Sequence, residues 1–144
     1  MDEIVVGVGG TPTAHEAARR AAELASALGV GLHIVTSVKR HGANVSAHGE
    51  RWHIDSFSAG EQLLDSLGVE FGIDPTTKSV QTGDAADALC EEAARLDAQM
   101  IVVGNRRVQG AARVLGSVAT HVARHAGCDV LIAHTTGVGT DDAD

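Results

Sequence analysis

Two five-residue runs, IVVGV at Ile4–Val8 and MIVVG at Met100–Gly104, contain no polar side chain, and each leads into a glycine-rich turn. A strand with one wet face alternates apolar and polar residues. An unbroken short run reads instead as a strand covered on both faces, the signature of a parallel sheet between helical layers. The segments between such runs supply the helices. Ala14, Ala17, Ala18, Ala21, Leu24, Ala25 and Leu28 recur at helical spacing and predict a helix that Gly29 ends.

LHIVTSV (32–38) reads as the second strand, and 39–51 as a long polar loop. A second helix is predicted over 55–67, with Phe57, Leu63, Leu64 and Leu67 inward and Gly68 closing it. TKSVQT (77–82) is a weaker strand. Asp84 caps a helix through Leu96 whose apolar face is Ala85, Ala88, Leu89, Ala93 and Leu96. Residues 117–126 form the last helix and DVLIAH (129–134) the last strand. Alternating strands and helices predict a single doubly wound α/β domain over residues 1–135. Residues 136–144 are expected to be a flexible acidic tail.

Composition removes several function classes. The chain has 144 residues and a formal net charge of −8, with one tryptophan, two phenylalanines and no tyrosine. Neither the charge nor the scarcity of stacking rings suits a nucleic-acid partner. No apolar stretch approaches the ~20 residues of a membrane span. MDEIVVGVGG has no basic, long-apolar leader pattern, and the two cysteines, Cys90 and Cys128, are too few for a disulfide scaffold. Both are read as buried thiols, and the expected location is the cytoplasm.

Against that acidic background, GNRRVQGAARVLGS (Gly104–Ser117) has three glycines, three arginines and no acid. It leaves a buried strand and ends where a helix begins. Ligands of open parallel sheets sit beyond the carboxyl ends of the strands, where the winding reverses. The first strand ends in glycines too, at Gly7, Gly9 and Gly10. Backbone amides at the start of the last helix favour an anion, and Arg106, Arg107 and Arg113 add charge. The alternative is a capped helix start with exposed arginines. Neither lysine, Lys39 or Lys78, follows a glycine, which excludes a Walker-type loop. Pro12 stands where a dinucleotide fingerprint needs its third glycine, and no acid ends the second strand.

Nearly the whole chain resembles the universal stress protein family. The likeness is carried by VGVGGTPTAHEAARRAAELA, QTGDAADALCEEA, and most specifically MIVVGN with LGSVATHVARHAGCDVLIA. The resemblance implies a five-stranded parallel sheet in the order 3-2-1-4-5 with about four helices. It also implies homodimer formation through the last strand and, in one branch, ATP binding, with magnesium accompanying the nucleotide. The family's G-x2-G-x9-G-[ST] motif maps its first glycine to Gly104 and its closing pair to Gly116-Ser117. Its middle glycine falls on Arg107, with Gly110 as a displaced turn, and the span to Gly116 is one residue short. Gly9 stands where the family's nucleotide binders carry an aspartate. Ser37 lies where the family contacts adenine. The implied site is therefore Gly104, Gly110, Gly116, Ser117 and Val118 around phosphates, Arg106 and Arg107 neutralising them, and Gly9 and Ser37 beside the nucleoside. The alternative is a nucleotide-free dimeric interaction module of the same fold.

No catalytic set emerges, and at most slow hydrolysis of bound ATP is expected. Ser117 and His121 are one helical turn apart, but LGSVA is not a G-x-S-x-G elbow. His121 and His125 share a helix face, yet no carboxylate at matching sequence spacing completes a metal set, and helix packing or exposure is the reading adopted. His41, His48 and His53 are read as solvated residues in and after the long loop.

Overall fold

The computed structural model describes residues 2–8, 13–38, 46–74, 77–104 and 116–134, with the backbone alone for 13, 14 and 46–57. Strands and helices alternate strictly: β1 (Glu3–Gly7), α1 (Thr13–Leu28), β2 (Gly31–Val38), α2 (Ser46–Phe71), β3 (Lys78–Thr82), α3 (Ala85–Leu96), β4 (Met100–Gly104), α4 (Ser117–His125) and β5 (Asp129–Ala133). All strand pairs are parallel, and the sheet order is β3-β2-β1-β4-β5. This is the order the family resemblance implied.

Side-chain alternation divides the core between two layers. Ile4, Val6 and Val8 of β1, with Leu32 and Ile34 of β2 and Val102 of β4, pack beneath Ala17, Ala18, Ala21 and Ala25 of α1 and Leu64 and Leu67 of α2. On the opposite face Val5, Val35, Ile101 and Val103 meet Ala86, Leu89 and Ala93 of α3 and Ala119 and Val122 of α4. The unbroken apolar runs thus serve both layers, as their composition demanded. Fully buried side chains such as Ile4, Ile34, Ile101 and Leu67 each contribute about 1.5–3 kcal/mol. Leu28 departs from the expected apolar face of α1: it is 50% exposed on the last turn.

The end of α1 follows the sequence signal. Gly29 adopts φ 71°, and the amide of Val30 reaches back to the carbonyl of Ala25 at 3.0 Å. This is the left-handed closure for which glycine is favoured.

The second helix corrects the sequence reading at both ends. It begins at Ser46, inside the segment expected to be loop, and passes through Gly68 to Phe71 before Gly72 turns it with φ 67°. The reason lies in packing. A Cβ on Gly68 would stand 2.6 Å from Nζ of Lys78, and one on Gly60 would stand 3.2 Å from Cγ1 of both Val38 and Val80. These glycines let the helix lie close to β2 and β3 and do not terminate it. Gly60 sits over the carboxyl ends of β2 and β3, and Gly68 over the first residue of β3. The turns of α2 before Gly60 therefore extend beyond the carboxyl edge of the sheet.

Candidate functional site

The winding reverses between β1 and β4. The chain leaves β1 for α1 on one face and leaves β4 for α4 on the other, while the two strands pair directly, Val5 opposite Ile101 and Val6 opposite Val102. A crevice beyond the carboxyl ends of those two strands follows from this topology. Gly7 ends β1 and Gly104 ends β4. Gly9, Arg106, Arg107 and Gly110 lie outside the described residues.

Helix α4 begins at this edge because it must run back to start β5 in parallel with β4. Its N-cap is Gly116, at φ −71° and ψ 171°, with no side chain to accept from the first turn. The Gly116 carbonyl is occupied, accepting from the Thr120 amide and hydroxyl, each at 3.0 Å. The amides of Ser117, Val118 and Ala119 precede the first residue that can bond within the helix, so helical geometry gives them no internal acceptor. Helix α3 solves the same problem differently: Asp84, the cap expected from sequence, accepts from the Asp87 amide at 3.0 Å. Ser117 is exposed, whereas the side chain of Val118 packs against the α3/α4 layer.

Ser37 is half-buried near the end of β2, in register with Gln81. Strand alternation places it with His33 and Val35 on the face that carries α3 and α4. Gly104 thus ends β4, and Gly116, Ser117 and Val118 open α4. Ser37 stands on the same sheet face, with β1 intervening.

A buried polar cluster on that face had no sequence signal. His33 is 3% exposed and Glu92 5%. His33 Nε2 lies 3.2 Å from Glu92 Oε2 and 3.3 Å from Ser79 Oγ. Glu92 also accepts from Gln81 Nε2 at 3.5 Å and from Nε and Nη2 of Arg95. Burial pushes the His33 imidazole below its ordinary value, outweighing the pull of the nearby carboxylates. Hydrogen bonding from Arg95 holds the Glu92 carboxyl below the usual range against the opposing effect of burial. The Ser, His and Glu types invite comparison with a nucleophilic triad. However, both partners converge on the same nitrogen, whereas a relay needs the serine on one ring nitrogen and the carboxylate on the other.

The remaining candidates are accounted for locally. His121 Nε2 meets Asp87 Oδ1 at 3.1 Å, and His125 Nδ1 donates to the His121 carbonyl at 3.0 Å. Asp87 is thus a carboxylate near His121 that sequence spacing concealed. Even so, no three His, Cys, Asp or Glu among the described residues are arranged to hold a metal ion. Cys90 and Cys128 are free and half-buried, with thiols raised chiefly by burial. Among the described residues no helix is long and apolar enough to cross a membrane.

Residues 1–134 match the Universal stress protein family. Universal stress protein G of Shigella flexneri is 35% identical over 74 residues, which is 50% of this chain and 52% of that protein. The chain thus spans about half the length of this curated relative. A universal stress protein solved in complex with cAMP is 30% identical, with a TM-score of 0.68 over 94% of this chain and 98% of its own. The universal stress protein from Archaeoglobus fulgidus in complex with dAMP is 24% identical, with a TM-score of 0.61 over 92% and 97%.

Proposed function

The chain belongs to the universal stress protein family, and from that premise we propose that it binds an adenine nucleotide at the carboxyl edge between β1 and β4 and serves as a signalling module in a stress response. The observation that carries the reading is the start of α4. Its first three amides have no acceptor within the helix, and the glycine cap supplies no side-chain acceptor. The structural relative holding cAMP, aligned over 94% of this chain, supports the ligand class.

In this reading the amides at Ser117 and Val118 and the backbone at Gly104, Gly110 and Gly116 take the phosphates. Arg106 and Arg107 neutralise them, and Ser37 and Gly9 border the nucleoside. ATP with its magnesium is the proposed physiological form, in the cytoplasm. The role is binding, with at most slow hydrolysis. A homodimer through β5 accompanies it: β5 is an edge strand, and its apolar stretch Val130–Ala133 carries none of the charges or prolines that blunt unpaired edges.

One observation favours a nucleotide-free interaction module instead. Gly9 offers no carboxylate for a sugar or base, and Arg107 replaces a motif glycine. Equilibrium dialysis with labelled ATP and labelled cAMP separates the two readings. The wild type is expected to take up one equivalent, and Gly116→Val to weaken binding by about tenfold or more, equivalent to ~1.4 kcal/mol. The backbone of Gly116 is extended and open to any residue, so the variant should still fold, with only a modest loss of stability from valine's poorer fit at a helix cap. Uptake of neither nucleotide by the wild type would leave the interaction module.

A further inference from the structure

Apolar packing locates β3 less firmly than any other strand. It is an edge strand of five residues, none fully buried, and its one apolar side chain is Val80 beneath Gly60. It pairs with Ile34–Val38 of β2, so Gly31–His33 have no β3 partner. A one-residue slip toward the amino end of β2 would exchange the faces of β3, but a two-residue slip preserves them. In that displaced register Ile34 would lie opposite Val80. Thr82, of the same branched shape, would take Val80's place beneath Gly60. Apolar contact therefore distinguishes the two alignments poorly.

The buried polar cluster does distinguish them. His33 and Glu92 are buried and held on other elements: His33 Nε2 lies 3.2 Å from Glu92 Oε2, and Arg95 bonds the same carboxylate. Against this pair β3 places Ser79 Oγ, 3.3 Å from His33 Nε2, and Gln81 Nε2, 3.5 Å from Glu92 Oε1. After a two-residue slip the longer Gln81 would occupy the place of Ser79. Gly83, with no side chain, would stand where Gln81 now reaches Glu92. We propose that the cluster is a register lock, in which the His33–Glu92 pair engages Ser79 and Gln81 and so admits β3 in one alignment. Buried polar groups are best suited to this task where apolar packing leaves two registers nearly equal. The consequence reaches the carboxyl rim. β3 runs into Gly83, whose amide donates to the Val38 carbonyl at 3.1 Å, and then into Asp84, the cap of α3. A two-residue slip would draw that turn about 6–7 Å back from the rim. The lock thus sets where α3 begins, and it stands whether or not a nucleotide binds.

NMR on the full chain carrying Ser79→Ala and Gln81→Ala together tests it. This variant removes both contacts from β3 and leaves Val80, the His33–Glu92 pair and the Lys78–Asp65 contact in place. The wild type is expected to show one set of β2–β3 contacts, with Ile34 opposite Lys78. The variant is expected to add a second set with Ile34 opposite Val80, its population raised about tenfold or more by the loss of two hydrogen bonds. Native contacts alone in the variant overturn the lock, whether the β3 amides stay protected or exchange faster. If the double variant does not fold, Gln81→Ala alone is judged by the same contacts.

Discussion

Leu89 of α3 closes over Gly7 at the end of β1 so tightly that a methyl group built on Gly7 would stand 2.6 Å from Leu89 Cδ1 and 3.1 Å from Cγ. Leu89 is itself buried at 3% exposure, so it has no solvent into which to retreat. The glycine that ends the first apolar strand is thus needed by the helix above it, whether or not a ligand approaches.

Gly7→Ala is accordingly expected to destabilise the fold by about 1–3 kcal/mol through overpacking. Leu89→Ala alone should cost about 2–5 kcal/mol. The double variant should lose clearly less than the sum, because the smaller side chain makes room for the methyl. Urea denaturation of the four proteins measures this. Additive losses would mean that the two residues do not share the space.

Acid should destabilise the protein in two stages of the same sign. His33 binds its proton less readily in the folded chain than its ordinary 6.5, so the unfolded state gains protons first and stability falls as pH drops below about 6.5. Glu92 is likewise held below its ordinary 4.5, and its contribution disappears as pH falls further. Glu92→Gln should flatten the second stage and cost about 1–3 kcal/mol at neutral pH by weakening a buried, hydrogen-bonded network. Unfolding free energies from pH 8 to pH 3 would show this; a Glu92→Gln profile parallel to the wild type below 4.5 would contradict it.

Gly29 isolates a backbone effect. Its φ is 71°, and a Cβ there would meet nothing within 4 Å. Gly29→Ala should therefore cost about 1 kcal/mol, entirely from the left-handed conformation. Thermal melts should show a drop of several degrees, and an unchanged midpoint would mean that the turn relaxes.

The two helix starts on the α3/α4 face should respond differently. Asp84→Ala removes an acceptor that the Asp87 amide uses at 3.0 Å and is expected to cost about 1 kcal/mol. Gly116→Ala removes no side-chain bond and should cost less, about 0.5 kcal/mol, from alanine's poorer fit at a helix cap. Equal losses in denaturant titrations would mean that Asp84 is not serving as a cap.

Features written in local pattern were legible from the sequence. The runs around Val5 and Ile101 showed two-sided burial, Gly29 marked a helix end, Asp84 a cap, and Gly116-Ser117 a helix start. The bounds of α2 were not legible. Gly68 looks like a stop signal, and only the approach of Lys78 explains its place inside the helix. His33 was hidden for another reason. It stands within an apolar strand, and Ser79, Gln81 and Glu92 reach it only after the sheet has brought β3 and α3 alongside. Likewise Asp87 approaches His121 across two helices. Of the proposed nucleotide site, the α4 start was readable in advance, while Gly9, Arg106, Arg107 and Gly110 lie outside the described residues.

The strictly parallel sheet has an electrostatic consequence for a chain of formal charge −8. Each of the four helices follows a strand, so all four begin at the same rim. A helix amino terminus behaves as roughly half a positive charge through its aligned peptide dipoles. The molecule thus concentrates attraction for negative solutes on one rim, through its main chain and with few lysines. Glu16 in the first turn of α1 and Asp84 and Asp87 at the start of α3 offset that polarity locally, whereas the first turns of α2 and α4 carry no acid and leave it uncompensated.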